Sequence, residues 1–461
     1  MKCRLVAKDL KSKRKLPETS TYAAVPAMYG FRLMIAAANG AVHIISTTDF
    51  NVAYLQTENR KDETTWVLIS YFDPRSHKKE YCYLMGVIYG EQPAGKDWKD
   101  SLCHKMVVIG GFKEVQNMEN MYWHPLWRVA VGVHVDDPLI VSCDESGYKL
   151  THDFLDANFD TKGRNRLEVG SEIDYLSMEL TLTKDHDIII TNRAKCAKML
   201  EDAGKSDCTP TKKPPMTKSS LKSALADQTA LSEEENNERL AHNGRFGWLA
   251  QTTHIGLAVA TSIAQGLPPV GGTKQVSDMM YQWVKAHAGD GIISFAKDRS
   301  GFAISTDSDW AGMHSITGET RSRSGVMIIY NGCPVLWYTG LQKTVASQWE
   351  ESEEMIATSS AAAETMAASE TLVRALHISY IAEELGIPVE HPLEIQIDAN
   401  AALGFLNNTG GPSKMKHLDI RKDWIQQIRD RDLVQFVKVP TKENRADFMT
   451  KLQNKVEFNG Q

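Results

Sequence analysis

The run RVAVGVHVDDPLIVSC, from Arg128 to Cys143, constrains this chain more than any other stretch. It is apolar on both sides of Asp136 and Asp137, which reads as a β-hairpin carrying two carboxylates at its tip. Adjacent carboxylates repel, and burying either one costs several kcal/mol unless a partner compensates. The pair is therefore either a solvated turn or a group that faces positive charge.

A second stretch tips the balance. HIISTTDFNVAYL, from His43 to Leu55, reads as a strand that ends at Asp49 and runs into a helix or turn. Three carboxylates converging at strand ends suit two Mg²⁺ ions, because hard cations take oxygen ligands and two of them can clamp a phosphoryl transfer. The second half of the chain carries another set. Asp307 ends AISTD, Glu364 lies early in a long helical stretch, Asp398 ends EIQID and Asp447 lies in NRADFMTK. Singly, each also reads as a turn residue, a solvated helix face, an N-cap or a surface acid. Two aspartates that each end a strand and open the next element are harder to attribute to turn chemistry alone.

The remaining organisation indicates two α/β-type domains joined by a helical connector. IDYLSMELTLT and HDIIITN alternate like a pair of strands, and RAKCAKMLEDAG has a helical pattern with Gly204 as its C-cap. TPTKKPPMTKSS is a linker by composition. From Glu233 to about Gly289 the pattern is helical, broken at GLPPVGG. GFAISTD begins a strand, and MIIYNGCPVLWY is a hairpin with Asn-Gly at its tip. A long amphipathic helix follows, with Met366, Val373, Leu376 and Tyr380 at helical spacing and Gly386 and Pro388 as its stop. LEIQID and ANAALGFLNN read as a strand and a helix.

At 461 residues, with 42% apolar and 24% charged residues, the chain has room for two or three ordinary globular domains. Its seven cysteines contain no C-x-x-C pair, so neither a zinc site nor a disulfide framework is signalled and a reducing compartment fits. No apolar run reaches membrane-spanning length, and the basic N-terminus lacks the apolar region of a signal peptide. The net charge of -6 hides segregation. MKCRLVAKDLKSKRKL, TPTKKPPMTKSSLK and SKMKHLDIRK are basic, whereas EEENNE and QWEESEEM hold acids, which leaves phosphate binding open.

In combination these motifs resemble the Pol region of copia-type LTR retrotransposons, spanning reverse transcriptase, connector and ribonuclease H. KCRLVAKD is similar to the family's fingers segment, TTDFNVAYLQ to its first palm motif and YGEQPAGKDW to the nucleotide-pocket motif. HVDD resembles the Y-V-D-D box, and YLSMEL the motif after it. STDSDWAG, SGVMIIYNGCPVLW, SSAAAETMA, IQIDANAAL, KHLDIR and VPTKENRAD follow the family's ribonuclease H in order.

The resemblance implies an α+β chain: reverse transcriptase fingers and palm over residues 1–208, truncated at the N-terminus, then a linker and helical thumb or connection over 209–298, and an α/β ribonuclease H-like domain over 299–455. It implies an RNA-directed DNA polymerase with ribonuclease H activity. Asp49, Asp136 and Asp137 would hold the two polymerase metals, and Asp307, Glu364, Asp398 and Asp447 those of the nuclease, with Mg²⁺ as the cofactor and Mn²⁺ as an alternative. Tyr54 would be the steric gate against a 2′-hydroxyl, and Arg4 and Lys8 would meet triphosphate or template phosphates. RNA template, DNA primer, RNA–DNA hybrid and deoxynucleotides are the implied partners, in the cytoplasm, within retrotransposon particles, or in the nucleus.

Several positions depart from the family pattern. His134 replaces the aromatic of the Y-V-D-D box, Pro138 a larger apolar residue, Pro93 a glutamine, Ser177 a glycine and Ala362 an acid. Glu353 or Glu354 would take the place of Glu364 in another register, and His417 lies in the KH-x-D-I-R signature. Two alternatives follow: a catalytically impaired nucleic-acid-binding remnant of a mobile element, or a chain in which only the nuclease works.

Overall fold

The computed structural model describes residues 21–23, 25–38, 42–57, 68–73, 75–83, 86–342, 360–407 and 419–452. Arg4, Lys8, Glu353, Glu354 and His417 lie outside the described residues. The chain forms two compact units. One comprises residues 1–34, 40–168 and 381–387, the other residues 35–39, 169–380 and 388–461.

The first unit is built on β1 (Ile44–Phe50), β4 (Lys113–Glu114), β5 (Met121–His124), β6 (Val129–His134), β7 (Asp137–Ser142) and β8 (Thr161–Arg166), with a separate hairpin of β2 (Leu68–Asp73) and β3 (Lys78–Tyr83). The large sheet is antiparallel in the order β4-β5-β6-β7-β1-β8. The run around the aspartate pair is β6 and β7, and its central residues are buried because the sheet is covered on both faces. Helix α1 (Met28–Ala37) brings Phe31 against the sheet at Gly132, where an added Cβ would lie 2.7 Å from the Phe31 ring. Helices α2 (Ala94–His104) and α3 (Glu145–Asn158) contribute Trp98, Leu102 and Leu155 to a core that also holds Phe50, Tyr122, Val131, Ile140 and Phe159. Asp144 caps α3 by accepting from Gly147 N at 2.8 Å.

The second unit contains two sheets and a helical layer. β9 (Glu172–Tyr175), β10 (Met178–Leu182), β11 (Ile188–Thr191) and β12 (Gly291–Ser294) form an antiparallel sheet in the order β12-β11-β10-β9. α4 (Arg193–Asp202), α5 (Lys218–Ala224), α6 (Glu233–Thr252), α7 (Ala258–Gly266) and α8 (Gly272–Ala286) share one apolar core, in which Phe246, Leu249, Leu257 and Tyr281 are buried. A Ser232–Glu235 capping box fixes the start of α6.

The five-stranded sheet has the order β15-β14-β13-β16-β17. β13 (Phe302–Asp309), β14 (Arg323–Tyr330) and β15 (Cys333–Leu341) are antiparallel, while β16 (Leu393–Ile397) and β17 (Val434–Lys438) run parallel to β13. The short α9 (His314–Thr317) follows β13. The long α10 (Ser360–Glu384), then α11 (Asn400–Leu406) and α12 (Asp419–Arg429), supply the crossovers that parallel strands require. The chain is thus of the α+β class.

Three expectations need correction. IDYLSMELTLT is not one strand but the hairpin β9–β10, turned by Leu176 and Ser177 with φ of 51° and 63°. A left-handed backbone at Ser177 explains why glycine suits that position. The end of the expected linker TPTKKPPMTKSS opens α5, because Thr217 and Ser220 form a capping box there. On α10 the helical stripe is only half correct: Met366 and Leu376 are buried, but Val373 and Tyr380 are 54% and 37% exposed. The buried face runs instead through Ala363, Ala367, Leu372, Ala375 and Ile378. β11 pairs with β12 from Ile188↔Ser294 to Thr191↔Gly291, so one sheet includes strands on both sides of residue 208, and the compact units divide at residue 168.

Candidate active sites

The first group is set by strand register. β1 and β7 pair from Ile44↔Ser142 to Thr47↔Leu139, and continuing that register sets Asp49 opposite Asp137. The Phe50 N–H donates to Asp136 O at 2.8 Å and holds the two strand ends together. Opposite residues of antiparallel neighbours share a face. Asp137 also pairs with His134, and Asp49 with Lys162 on β8, so a row of His134, Asp137, Asp49 and Lys162 crosses four adjacent strands.

Crowding shows in the titration of this row. Burial first, then the Asp136 and Asp49 charges, pushes the Asp137 carboxyl up to about 6. Burial lowers His134 against the opposing pull of Asp136, and its Nδ1 is buried without a hydrogen-bond partner. The neutral imidazole is favoured there. Tyr54 lies in the 3₁₀ turn Ala53–Gln56, with its ring 4.5 Å from that of Tyr89. Burial and the Asp136 charge both raise its hydroxyl pKa. Pro93, in place of a glutamine, forms the N-cap of α2, where Asp97 N donates to its carbonyl.

Asp307, Glu364 and Asp398 form a tighter group. Each offers an oxygen within 4.8 Å of the others, and no other three acidic, histidine or cysteine residues among the described residues meet that limit. Asp49, Asp136 and Asp137 share an end of their sheet without closing to that distance. The parallel pairing of Ile304↔Ile395 and Ser305↔Gln396 carries Asp307 and Asp398 to neighbouring positions, and Glu364 approaches from the first turns of α10.

Asp307 and Glu364 are 2% and 5% exposed, so the group is largely removed from water. Burial pushes Asp307 up to about 6, helped by Asp447 and Asp398 and opposed by the Thr450 hydroxyl and Lys451. Burial, Asp307 and Asp398 push Glu364 to about 9, and its Oε2 has no hydrogen-bond partner. Clustered hard oxygens, an orphaned carboxylate oxygen and suppressed ionisation are the donor chemistry that a divalent cation of the Mg²⁺ kind fits.

Asp447 stands apart from the three. Lys451 Nζ bonds its Oδ1 and lies 3.8 Å from Asp307 Oδ2. Burial works against the charged ammonium, yet Asp447, Asp307 and Asp398 together raise its pKa. Asn444 Nδ2 donates to Thr306 O at 3.0 Å, and the Thr450 hydroxyl donates to Asp307, which ties this segment to β13. Sequence reasoning gave Lys451 and Thr450 no role, although Lys451 follows Asp447 at the i,i+4 spacing of a helical ion pair. It also passed over Glu179 of YLSMEL. That carboxylate is buried and accepts from Arg193 N, Ala194 N and the Thr191 hydroxyl, so it anchors the start of α4.

Residues 1–218 match the family model of reverse transcriptase (RNA-dependent DNA polymerase). Over 99% of its length the chain is 22% identical to the retrovirus-related Pol polyprotein from transposon TNT 1-94 of Nicotiana tabacum, covering 33% of that protein. It is 24% identical to the Pol polyprotein from transposon RE2 of Arabidopsis thaliana over 99% of its length, covering 30% of that relative. The chain is a retrotransposon-type sequence that contains a reverse transcriptase domain, and it spans about a third of the length of these relatives.

Solved structures are more distant. A foamy viral protease-reverse transcriptase in complex with dsDNA is 12% identical with a TM-score of 0.44, over 86% of this chain and 68% of that one. LC11-RNase H1 in complex with an RNA/DNA hybrid is 18% identical with a TM-score of 0.23, over 33% of this chain and 96% of that one. Among the described residues, no helix is long and apolar enough to cross a membrane.

Proposed function

We propose that the chain is an RNA-directed DNA polymerase with ribonuclease H activity, acting on RNA template, DNA primer, deoxynucleotides and RNA–DNA hybrid. The observation that carries most weight is the Asp307–Glu364–Asp398 cluster, with Asp307 and Glu364 buried and Asp398 partly buried, because so costly an arrangement of acids is compensated by bound cationic charge. Bound Mg²⁺ or Mn²⁺ supplies charge neutralisation at phosphoryl oxygens in both activities.

The chain's own residues do the rest. Asp307, Glu364 and Asp398 bind and orient the cations of the nuclease, and Lys451 holds Asp447 beside them. Asp49, Asp136 and Asp137 do the same for the polymerase. Tyr54, close enough to Asp136 to feel its charge, excludes a 2′-hydroxyl from the nucleotide. Arg4 and Lys8 contribute phosphate contacts. Hybrid recognition is by backbone and shape rather than by base sequence, and the lack of signalled disulfides suits a reducing cytoplasmic or nuclear setting.

The tighter spacing of the nuclease carboxylates favours a second reading, in which only hybrid cleavage operates. Primer extension on a homopolymer RNA template and cleavage of a labelled hybrid, both with Mg²⁺, separate the two. Extension abolished by Asp136→Asn and cleavage abolished by Asp398→Asn are expected. Cleavage without extension leaves the nuclease reading, and neither activity from folded protein overturns both.

A further inference from the structure

The turn that carries the aspartate pair is conformationally costly. His134 pairs with Asp137, so Val135 and Asp136 form a two-residue loop, and Val135 has φ of 60°. Hairpin loops of this length use glycine, asparagine or aspartate at such a position, because a branched Cβ clashes in the left-handed region. A valine persists there only when its surroundings hold the backbone in place.

Trp98 provides that hold. Its indole Nε1–H donates to Val135 O at 2.6 Å. The ring is 3% exposed and packs edge-on to Phe50 at 5.5 Å and Phe159 at 6.1 Å. Phe50 and Phe159 are themselves 4.7 Å apart. Phe50 follows Asp49 directly, and its N–H donates to the carbonyl of Asp136. One indole therefore touches the loop of the hairpin through its N–H and the strand of Asp49 through its ring.

We propose that Trp98 is a positioning residue for the candidate polymerase carboxylates: it holds Val135 in its left-handed conformation and so fixes Asp136 relative to Asp49. This rests on the polymerase reading above. Trp98 touches no substrate in this role, and it acts through the backbone of the loop.

The test is Mn²⁺ binding followed by electron paramagnetic resonance on the full chain, in an Asp398→Asn background that weakens the nuclease cluster. Trp98→Phe keeps an aromatic ring and removes the N–H. It is expected to weaken Mn²⁺ binding at the remaining site roughly fivefold to tenfold, the scale of one lost hydrogen bond. Adding Val135→Gly relieves the backbone strain that the indole holds, and the double variant is expected to regain affinity relative to Trp98→Phe. A structural defect alone would not be rescued by a second change that adds a glycine. Circular dichroism confirms that each variant is folded. Affinity unchanged in Trp98→Phe, or no recovery in the folded double variant, overturns the positioning role while leaving the polymerase reading intact. A parent that binds no Mn²⁺ outside the nuclease cluster overturns that reading and the positioning role with it.

Discussion

Glu364→Gln should stabilise the metal-free protein, and the size of the effect follows from its setting. The Glu364 carboxyl has an ordinary value of 4.5 and rises to about 9 in the folded chain. Between those values the folded protein keeps a proton that the unfolded chain has released, so stability falls as pH rises through this window. From pH 4.5 to pH 7 the loss is roughly 3 kcal/mol, at about 1.4 kcal/mol per pH unit. Asp307 adds a loss of the same sign between 3.8 and about 6. Glutamine keeps an acceptor for the Ser308 N–H and offers donors to Asp307 and Asp398, without an ionisation to suppress. Calorimetry in EDTA at pH 7 should show the variant melting roughly 3–5 °C above the parent, with the gap closing toward pH 4.5. Mg²⁺ should raise the melting temperature of the parent more than that of the variant, because it stabilises by binding the folded state. A variant that melts at or below the parent across pH 5–8 in EDTA would refute the electrostatic account of this cluster.

Two further outcomes test other parts of the structure. Tyr54→Val should raise ribonucleotide incorporation relative to deoxynucleotide incorporation roughly 10–100-fold, measured by primer extension with each nucleotide set. Glu179→Gln should destabilise the chain by roughly 2 kcal/mol at pH 7 in urea denaturation. Burial raises the Glu179 pKa, but the N–H groups of Ala194 and Arg193 and the Thr191 hydroxyl outweigh it and lower the value. Its contribution is present above the ordinary carboxylate range and is lost as pH falls through the lowered value, so the difference between variant and parent should shrink on acidification.

The elements legible in the sequence were those with local signals. Asn331-Gly332 marks the β14–β15 turn because both residues adopt positive φ, and Gly386 stops α10 for the same reason. The apolar runs flanking Asp136 and Asp137 mark β6 and β7. What was not legible depends on contacts distant in sequence. The β9–β10 turn uses Leu176, which carries no turn signature, and β11 meets β12 across an entire helical layer. The buried face of α10 is lined largely with alanine, so hydrophobic size pointed to Val373 instead. Acidic residues at strand ends were legible as candidates. How tightly they gather was not, because that is set by the pairing of β13 with β16 and of β1 with β7.

The order of strands in the five-stranded sheet has a kinetic consequence. Asp307 and Asp398 meet only when β13 pairs with β16, and the segment holding Thr450 and Lys451 docks from still farther along the chain. Closing loops of that length must precede the contacts that reward it, so assembly of the acidic cluster belongs to the slow, late part of folding. A nascent chain that has not reached Lys451 can hold the antiparallel β13–β14–β15 meander, yet it cannot hold the acids in their final electrostatic setting.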